Sequence, residues 1–301
     1  MSNIVLLVVC LLAGIGLRKT GRFSDYMPQS LNGFIIYISL PALALFHIHD
    51  LKMSGSLVYT GLMAWVLFGL GVLFFYAVGK WFRLERPTVG ALILIGGLGN
   101  TSFVGLPMIE AYYGKSLLGV GIVADLMGSF FVLSTLGIFV ATTYSSGAVD
   151  ARKIAQKVLT FPPFLALVVA FLSKPVPFPG WLDYVLVQLG GTLTPLALVS
   201  VGFQLRLSQI KGEIKPLSLG LFYKMILGPV LVALIFVELL GGHGITMQVT
   251  IFEAAMGPMI SAGIVAVEHK LNPTLVSLML GIGIPLSFLT LPGWYWLLQG
   301  L

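Results

Sequence analysis

Two carboxylates lie deep inside apolar stretches of this sequence. Asp125 follows GIVA and Glu253 follows TIF, and each lies about 8–10 residues from one end of its stretch, or roughly 12–15 Å along a helix. A charge at that depth in lipid costs at least about 2.5–3.5 kcal/mol, so it usually serves function. We predict that both acids couple an ion. A structural hydrogen bond to a neighbouring helix is the alternative.

One cation also lies inside an apolar stretch. Lys224, in LFYKMILGP, lies about eight residues from the end of its stretch. It can act as a counter-charge, paired with Asp125 or with an anionic substrate. Alternatively, its long aliphatic stem can snorkel to the cytoplasmic interface.

Two apolar stretches carry helix-breaking residues at their centres: GGLGNTSFVGLPMI at 96–109 and IFEAAMGPMISAGIVA at 251–266. Proline and glycine weaken a helix, so we predict interruptions near Asn100–Pro107 and near Met256–Ser261. Non-helical backbone in a membrane is tolerated only where it lines a protein-enclosed site. A packing kink is the alternative for each stretch. The predicted substrate-binding residues are Asn100, Thr101, Ser102, Gly105, Pro107, Gly257, Pro258, Met259 and Ser261.

The elements that position these residues are membrane helices. Of the 301 residues, 57% are hydrophobic and 9% are charged, far from the roughly 25% charge of soluble domains. The pattern predicts an all-α integral membrane protein that forms a single domain, 1–301. Ten spans are predicted at 3–17, 28–48, 55–82, 88–113, 116–143, 158–173, 182–204, 216–240, 246–268 and 274–298.

The basic residues alternate between successive loops. Thirteen of the 17 fall on one side: Arg18, Lys19, Arg22, Lys80, Arg83, Arg86, Arg152, Lys153, Lys157, Arg206, Lys211, Lys215 and Lys270. The other side has Lys52, Lys115 and Lys174. The positive-inside rule then predicts a multi-pass protein of the plasma (inner) membrane with both termini outside. The net charge of +6 reflects loops facing anionic lipid, and we predict no nucleic-acid partner.

The two halves of the chain resemble each other. SLPALALF (39–46) matches LTPLALVS (193–200), which places Pro41 opposite Pro195. Because five spans separate the two copies, they cross in opposite directions, as in the 5+5 inverted repeats of secondary transporters. The predicted repeats are 1–143 and 157–301.

GNTSFVGLPMIEAYYG resembles a signature of the auxin efflux carrier family, and EAAMGPMISAG followed by Asn272–Pro273 resembles a second one. That family is similar in fold to the bile acid–sodium symporters and to NhaA. The resemblance implies that discontinuous helices 4 and 9 cross. It also implies elevator motion of core helices 55–143 and 216–298 against panel helices 1–48 and 158–204. Plant auxin carriers have a long loop after the fifth span, so the short loop here favours a bacterial-type carrier.

The resemblance also implies an ion site. Glu253 corresponds to the sodium-ligand glutamate of the bile acid symporters. The other ligands would be Met256, Asn100 and carbonyls near Ala254, with Gly257 standing where the symporters have glutamine. Sodium needs several such oxygens, whereas a proton needs one carboxylate, so the sequence leaves sodium and proton open.

The resemblance and the predicted interruptions favour a secondary active transporter for a small organic anion. The anion would be a mono- or dicarboxylate, an auxin-like acid included, carried alone or by symport. An anion channel or an uncoupled uniporter is the alternative. No enzyme is predicted, because the two mid-span acids match no catalytic motif. We expect neither a cofactor nor a metal site. The expected partners are lipid and the substrate, and a homodimer is left open.

Four polar side chains of the panel helices are predicted either to face the substrate or to join helices: Ser39, Gln188, Thr192 and Thr194.

Overall fold

The structure is a computed structural model that describes residues 2–49, 51, 55–145, 156, 159–204 and 213–301, without the side chains of residues 2–4. Six basic residues used to predict the orientation lie outside the described residues: Lys52, Arg152, Lys153, Lys157, Arg206 and Lys211.

Helices make up almost all of the described chain. The α-helices are Ser2–Lys19, Met27–Phe34, Leu40–His49, Ser56–Trp81, Arg86–Gly97, Leu106–Tyr112, Leu118–Val123, Ile138–Tyr144, Pro162–Ser173, Gly180–Gly191, Leu193–Gln204, Ile214–Phe222, Gly228–Ala233, Ile245–Ala254, Ile260–Glu268 and Pro273–Leu298. A 3₁₀ turn, Lys115–Leu117, precedes one of them.

Six continuous helical segments are long and apolar enough to cross a membrane: Met27–His49, Ser56–Trp81, Lys115–Tyr144, Gly180–Gln204, Ile214–Leu239 and Pro273–Leu298. About 20 apolar residues suffice to cross the hydrocarbon core as a helix. The prediction of an all-α membrane protein is therefore confirmed. The ten-span count stays a prediction.

The first predicted interruption exists but is shorter than expected. The helix Arg86–Gly97 ends before Leu98, whose backbone is extended at φ −118° and ψ 135°. Helical structure resumes at Thr101, so only residues 98–100 are non-helical. The prediction that the interruption extends to Pro107 is wrong, because helical structure is continuous from Thr101 through Leu106–Tyr112. Pro107 lies in the turn that follows the π-helical segment, where the hydrogen-bond pattern already departs from that of an α-helix.

The second interruption lies at residues 255–259, between Ile245–Ala254 and Ile260–Glu268. Gly257 and Pro258 fall in its centre, as their backbone chemistry predicts. The predicted end at Ser261 is two residues too late. Met259 has extended backbone and directly precedes the next helix, so Ser261 is already helical.

Six segments with π-helical hydrogen bonding lie within or beside the α-helices: Ile35–Ser39, Thr101–Gly105, Ala124–Phe130, Leu133–Gly137, Tyr223–Leu227 and Leu234–Leu239. π-helical turns are rare and concentrate at functional sites. Three of these segments contain Thr101, Asp125 and Lys224, which are residues singled out by their chemistry.

Contacts divide the chain into two compact units. Unit 1 comprises Met1–Ser54, Ser102–Ile122 and Ala155–Leu205, and unit 2 comprises Gly55–Thr101, Val123–Ile154 and Arg206–Leu301. The two segments that form the interruptions, 98–100 and 255–259, therefore both belong to unit 2. The division into core and panel helices stays a prediction.

Close backbone packing in unit 1 gives a stability prediction. A Cβ on Gly14 would lie 2.2 Å from the carbonyl oxygen of Val199, whereas a Cβ on Gly16 would meet no atom within 4 Å. We expect Gly14→Ala to lower the free energy of unfolding by about 1–3 kcal/mol, since overpacking forces backbone apart. Gly16→Ala is the matched control. Thermal unfolding in detergent measures both, and equal melting temperatures would contradict the packing.

Candidate substrate and ion site

The two interruptions meet in unit 2. Gly99 and Pro258 form an antiparallel bridge, and the backbone N–H of Asn100 donates to the carbonyl of Gly257 at 2.8 Å. Backbone freed from helical hydrogen bonding is thus partly paired across the two segments, as a low-dielectric environment requires. We call residues 98–100 and 255–259 the crossing.

Glycine permits the close approach at the crossing. A Cβ on Gly257 would lie 2.8 Å from Oγ of Ser287, and one on Gly99 would lie 3.3 Å from the carbonyl oxygen of Glu253. Contacts below 3.0 Å require something to shift. Gly257 therefore allows the backbone of Ile284 and the side chain of Ser287 to approach closely and leaves no space for a long polar side chain, such as the glutamine that the resemblance places there in the sodium symporters.

Lys224 delivers a positive charge to the crossing. Its side chain is fully buried, and its Nζ donates to the carbonyl of Ala254 at 2.7 Å. Ala254 ends the helix Ile245–Ala254, where carbonyls lack helical partners and carry partial negative charge. The snorkelling interpretation is wrong, because the stem of Lys224 turns into unit 2 and its ammonium binds a helix C-terminus.

Two carboxylates accompany this ammonium. Glu253 is fully buried, Asp125 is 2% exposed, and Glu253 interacts electrostatically with both Asp125 and Lys224. No hydrogen bond from the described part of the chain reaches either carboxylate oxygen of Glu253. Asp125 accepts the hydroxyl of Thr101 at 2.6 Å. We call Asp125, Lys224 and Glu253 the charged cluster. Two acids and one base leave a net negative charge when all three are ionised, which a proton or a cation would balance.

Comparison with known proteins identifies the family of this chain. Residues 1–295 match the model of a family described as "Membrane transport protein". An uncharacterized transporter of Methanocaldococcus jannaschii is 25% identical over 308 residues, which cover 99% of this chain and 98% of the relative. An uncharacterized transporter of Methanothermobacter thermautotrophicus is 24% identical over 296 residues, or 97% and 96% of the two chains.

The chain belongs to the auxin efflux carrier family of membrane transporters. The identification that the motifs implied is confirmed. This transporter is a multi-pass membrane protein and not an enzyme, as its family and its relatives indicate.

The structure distributes the predicted substrate-binding residues of the transporter over several elements. Asn100, Gly257 and Pro258 lie within the crossing, and Thr101 is joined to Asp125. Met256 and Met259, the remaining predicted residues of the second interruption, are buried. The others lie in helical turns beyond the interruptions: Ser102, Gly105, Pro107 and Ser261.

The sequence analysis missed several buried polar residues of unit 2. Thr60 and Thr250 are fully buried, and their hydroxyls share a hydrogen bond of 2.7 Å. Oγ of Ser129 is buried and makes no hydrogen bond within the described chain. Ser129 lies one turn after Asp125 in the π-helical segment Ala124–Phe130. Single hydroxyl residues in an apolar stretch give little signal, because most of them only join neighbouring helices.

In unit 1, the polar panel residues do join helices. The hydroxyls of Ser39 and Thr192 lie 2.7 Å apart, and Thr194 donates to Oε2 of Glu110 at 2.6 Å. These contacts give Ser39 and Thr192 the structural role that was weighed against substrate binding. Gln188, by contrast, is exposed.

Proposed function

We propose that this transporter carries a small organic anion, a mono- or dicarboxylate, by alternating access at the crossing. The core helices that contain the crossing would move elevator-fashion against the panel helices. Asn100 and the backbone around Gly257 and Pro258 would hold the carboxylate, with Lys224 as the counter-charge. The protein would cross the plasma membrane ten times as a 5+5 inverted repeat, with both termini outside.

The observation that carries this proposal is the paired interruption beside a buried ammonium. Crossed discontinuous helices at membrane depth are typical of substrate sites in transporters. The carboxylates and the ammonium of the charged cluster lie close to the crossing, and this local site favours a carrier, since a channel needs a continuous polar path. Lys224 supports an anionic cargo because it places a positive charge next to Gly99 and Ala254.

Counterflow in proteoliposomes tests the proposal. Liposomes loaded with unlabelled malate, malonate or lactate are diluted into a trace of the same labelled acid. A carrier accumulates label transiently, because influx of label exchanges with efflux of the unlabelled acid. A channel, the alternative, shows no such overshoot under a clamped membrane potential. Absence of counterflow for every organic acid would contradict the proposed function.

The charged cluster favours a proton over sodium as the coupling ion. In the symporter-like arrangement, carbonyls near Ala254 would bind sodium, but the ammonium of Lys224 already binds the Ala254 carbonyl. The like charge of that ammonium disfavours a second cation beside it. Glu253, with both carboxylate oxygens lacking hydrogen-bond donors in the described chain, is the residue we propose to take up the proton.

Glu253→Gln tests the coupling. We expect the parent protein to accumulate substrate up to about tenfold in response to a tenfold proton gradient, which is the thermodynamic limit for one proton coupled to one monoanion. We expect it to ignore a sodium gradient. The glutamine variant should retain counterflow and lose the accumulation, because its side chain cannot ionise. Glu268→Gln, at an exposed residue of the helix Ile260–Glu268, is the control. Gradient-driven accumulation that persists in Glu253→Gln would remove Glu253 from the coupling, and its absence in the parent would indicate a uniporter.

A further inference from the structure

Unit 1 encloses a cavity of about 90 Å³ that no part of the crossing lines. A water molecule requires about 10–15 Å³, so the cavity has room for about six waters or a small organic molecule. Its walls are largely apolar and include Leu43, Phe46, Leu106, Leu118, Val187 and Leu193. In the arrangement that the resemblance implies, Leu106 and Leu118 belong to core helices, and the other four residues belong to panel helices.

The polar lining of the cavity includes an acid and a base. Thr194 donates its hydroxyl to Oε2 of Glu110 at 2.6 Å, and Nζ of Lys115 lies 3.6 Å from Oε1. The side chain of Glu110 is 16% exposed, whereas that of Lys115 is 71% exposed. The acid is therefore fixed within the wall, and the base reaches it from the solvent-accessible side. His47 contributes a further ring to the lining.

We propose that this cavity is a binding chamber for the carried acid and that Glu110 makes it selective for monocarboxylates with an apolar body. This inference rests on the proposed function and narrows its substrate class. Lys115 offers one positive charge to an incoming carboxylate, and the aliphatic and aromatic walls take up the rest of the molecule. Glu110 is a specificity-determining residue in this arrangement.

The charges that line the cavity disfavour a substrate with a second carboxylate. Apart from the ring of His47, the charged lining consists of one ammonium facing one glutamate, so that a monoanion adds a single negative charge to a balanced pair. A dianion would place its second carboxylate in an apolar wall or beside Glu110, and like charges in a partly desolvated site repel strongly. The threonine hydroxyl cannot relieve this repulsion, because it already donates to Glu110.

Butyrate and succinate test the inference, since both have four carbons and differ by one carboxylate. Thermal unfolding of the purified full-length protein in detergent at pH 8 and constant ionic strength measures binding. We expect butyrate to raise the melting temperature at a concentration at least about tenfold lower than succinate. In Glu110→Gln, succinate binding should improve until the two acids differ by less than about threefold. Glu238→Gln, at an exposed position, should keep the parental ratio.

A second pair of variants locates the binding without touching the charges. Gly191 lines the cavity, and a Cβ built on it would meet no atom within 4 Å. Gly191→Leu should therefore fill space and abolish the effect of butyrate. Gly16→Leu, at a glycine with equally open surroundings that does not line the cavity, should leave that effect unchanged. This pair decides the question if Glu110→Gln fails to fold.

Equal binding of butyrate and succinate to the parent protein would overturn the inference, as would an unchanged ratio in Glu110→Gln. Normal butyrate binding in Gly191→Leu would overturn the assignment to this cavity. Counterflow of malate without butyrate binding would contradict the inference that the cavity selects monocarboxylates and would leave the proposed function intact. Absence of counterflow for every acid would instead contradict the proposed function.

Discussion

Asn100→Ala is expected to reduce counterflow by about 10–100-fold while the protein remains folded. Asn100 is 1% exposed, and its backbone N–H pairs with Gly257 across the crossing. The backbone bond survives the substitution, so the crossing should keep its geometry. The side-chain amide, which we propose donates to the substrate carboxylate, is lost. A hydrogen bond to a charged group contributes about 1.5–3 kcal/mol, which corresponds to this range of rates.

Asn32→Ala is the control for this variant. Oδ1 of Asn32 accepts the hydroxyl of Ser200 at 2.6 Å in unit 1, so the same atoms are removed from a hydrogen-bonded site outside the crossing. Its counterflow should stay within about threefold of the parent, since a single neutral hydrogen bond contributes about 1 kcal/mol. Melting temperature and monodispersity verify folding. Parental counterflow in a folded Asn100→Ala variant would show that the crossing does not hold the substrate.

Lys224→Met is expected to lower the free energy of unfolding by about 3–5 kcal/mol, the usual cost of removing one partner from a buried charged pair. The variant removes the cation that interacts with the buried Glu253 and leaves the carbonyl of Ala254 without the hydrogen bond from Nζ. Methionine has a similar length and is apolar, so it creates little cavity. Unfolding in detergent, followed by heat or by denaturant, measures the loss.

The double variant Lys224→Met/Glu253→Gln isolates the charge pair. If Glu253 is the main partner of the ammonium, neutralising it should restore at least about half of the lost stability, because no uncompensated charge remains at position 253. Lys80→Met, at an exposed lysine, should change stability by no more than about 0.5 kcal/mol. A double variant as unstable as Lys224→Met would assign the stabilisation to the Ala254 carbonyl instead.

Much of the site could be predicted because its signals are local. Proline and glycine interrupt helices through their own backbone chemistry, and the structure places interruptions at 98–100 and 255–259, within the two stretches that contain these residues. The predicted limits were off by a few residues, since a proline does not always end a helix. Pro107 lies within helical residues 101–112, in the turn that follows a π-helical segment.

The role of Lys224 was harder to predict. Its depth in an apolar stretch left both snorkelling and charge pairing open, because a lysine stem is long enough for either. The outcome depends on which helices pack around position 224. The structure brings the end of the helix Ile245–Ala254, 30 residues along the chain, within 2.7 Å of its Nζ.

The sequence alone determined that this protein is a helical membrane transporter of a recognisable family, with two helices interrupted at particular glycines and prolines. Hydropathy, backbone freedom and motif spacing are properties of contiguous residues, so they can be read without coordinates. Only the tertiary structure decided that the interruptions pair through Gly99 and Pro258, that Glu253 interacts electrostatically with Asp125 and Lys224, and that Glu110 lines a cavity. The partners of a buried polar group come from distant segments, because packing of helices brings them together and spacing along the chain does not encode it.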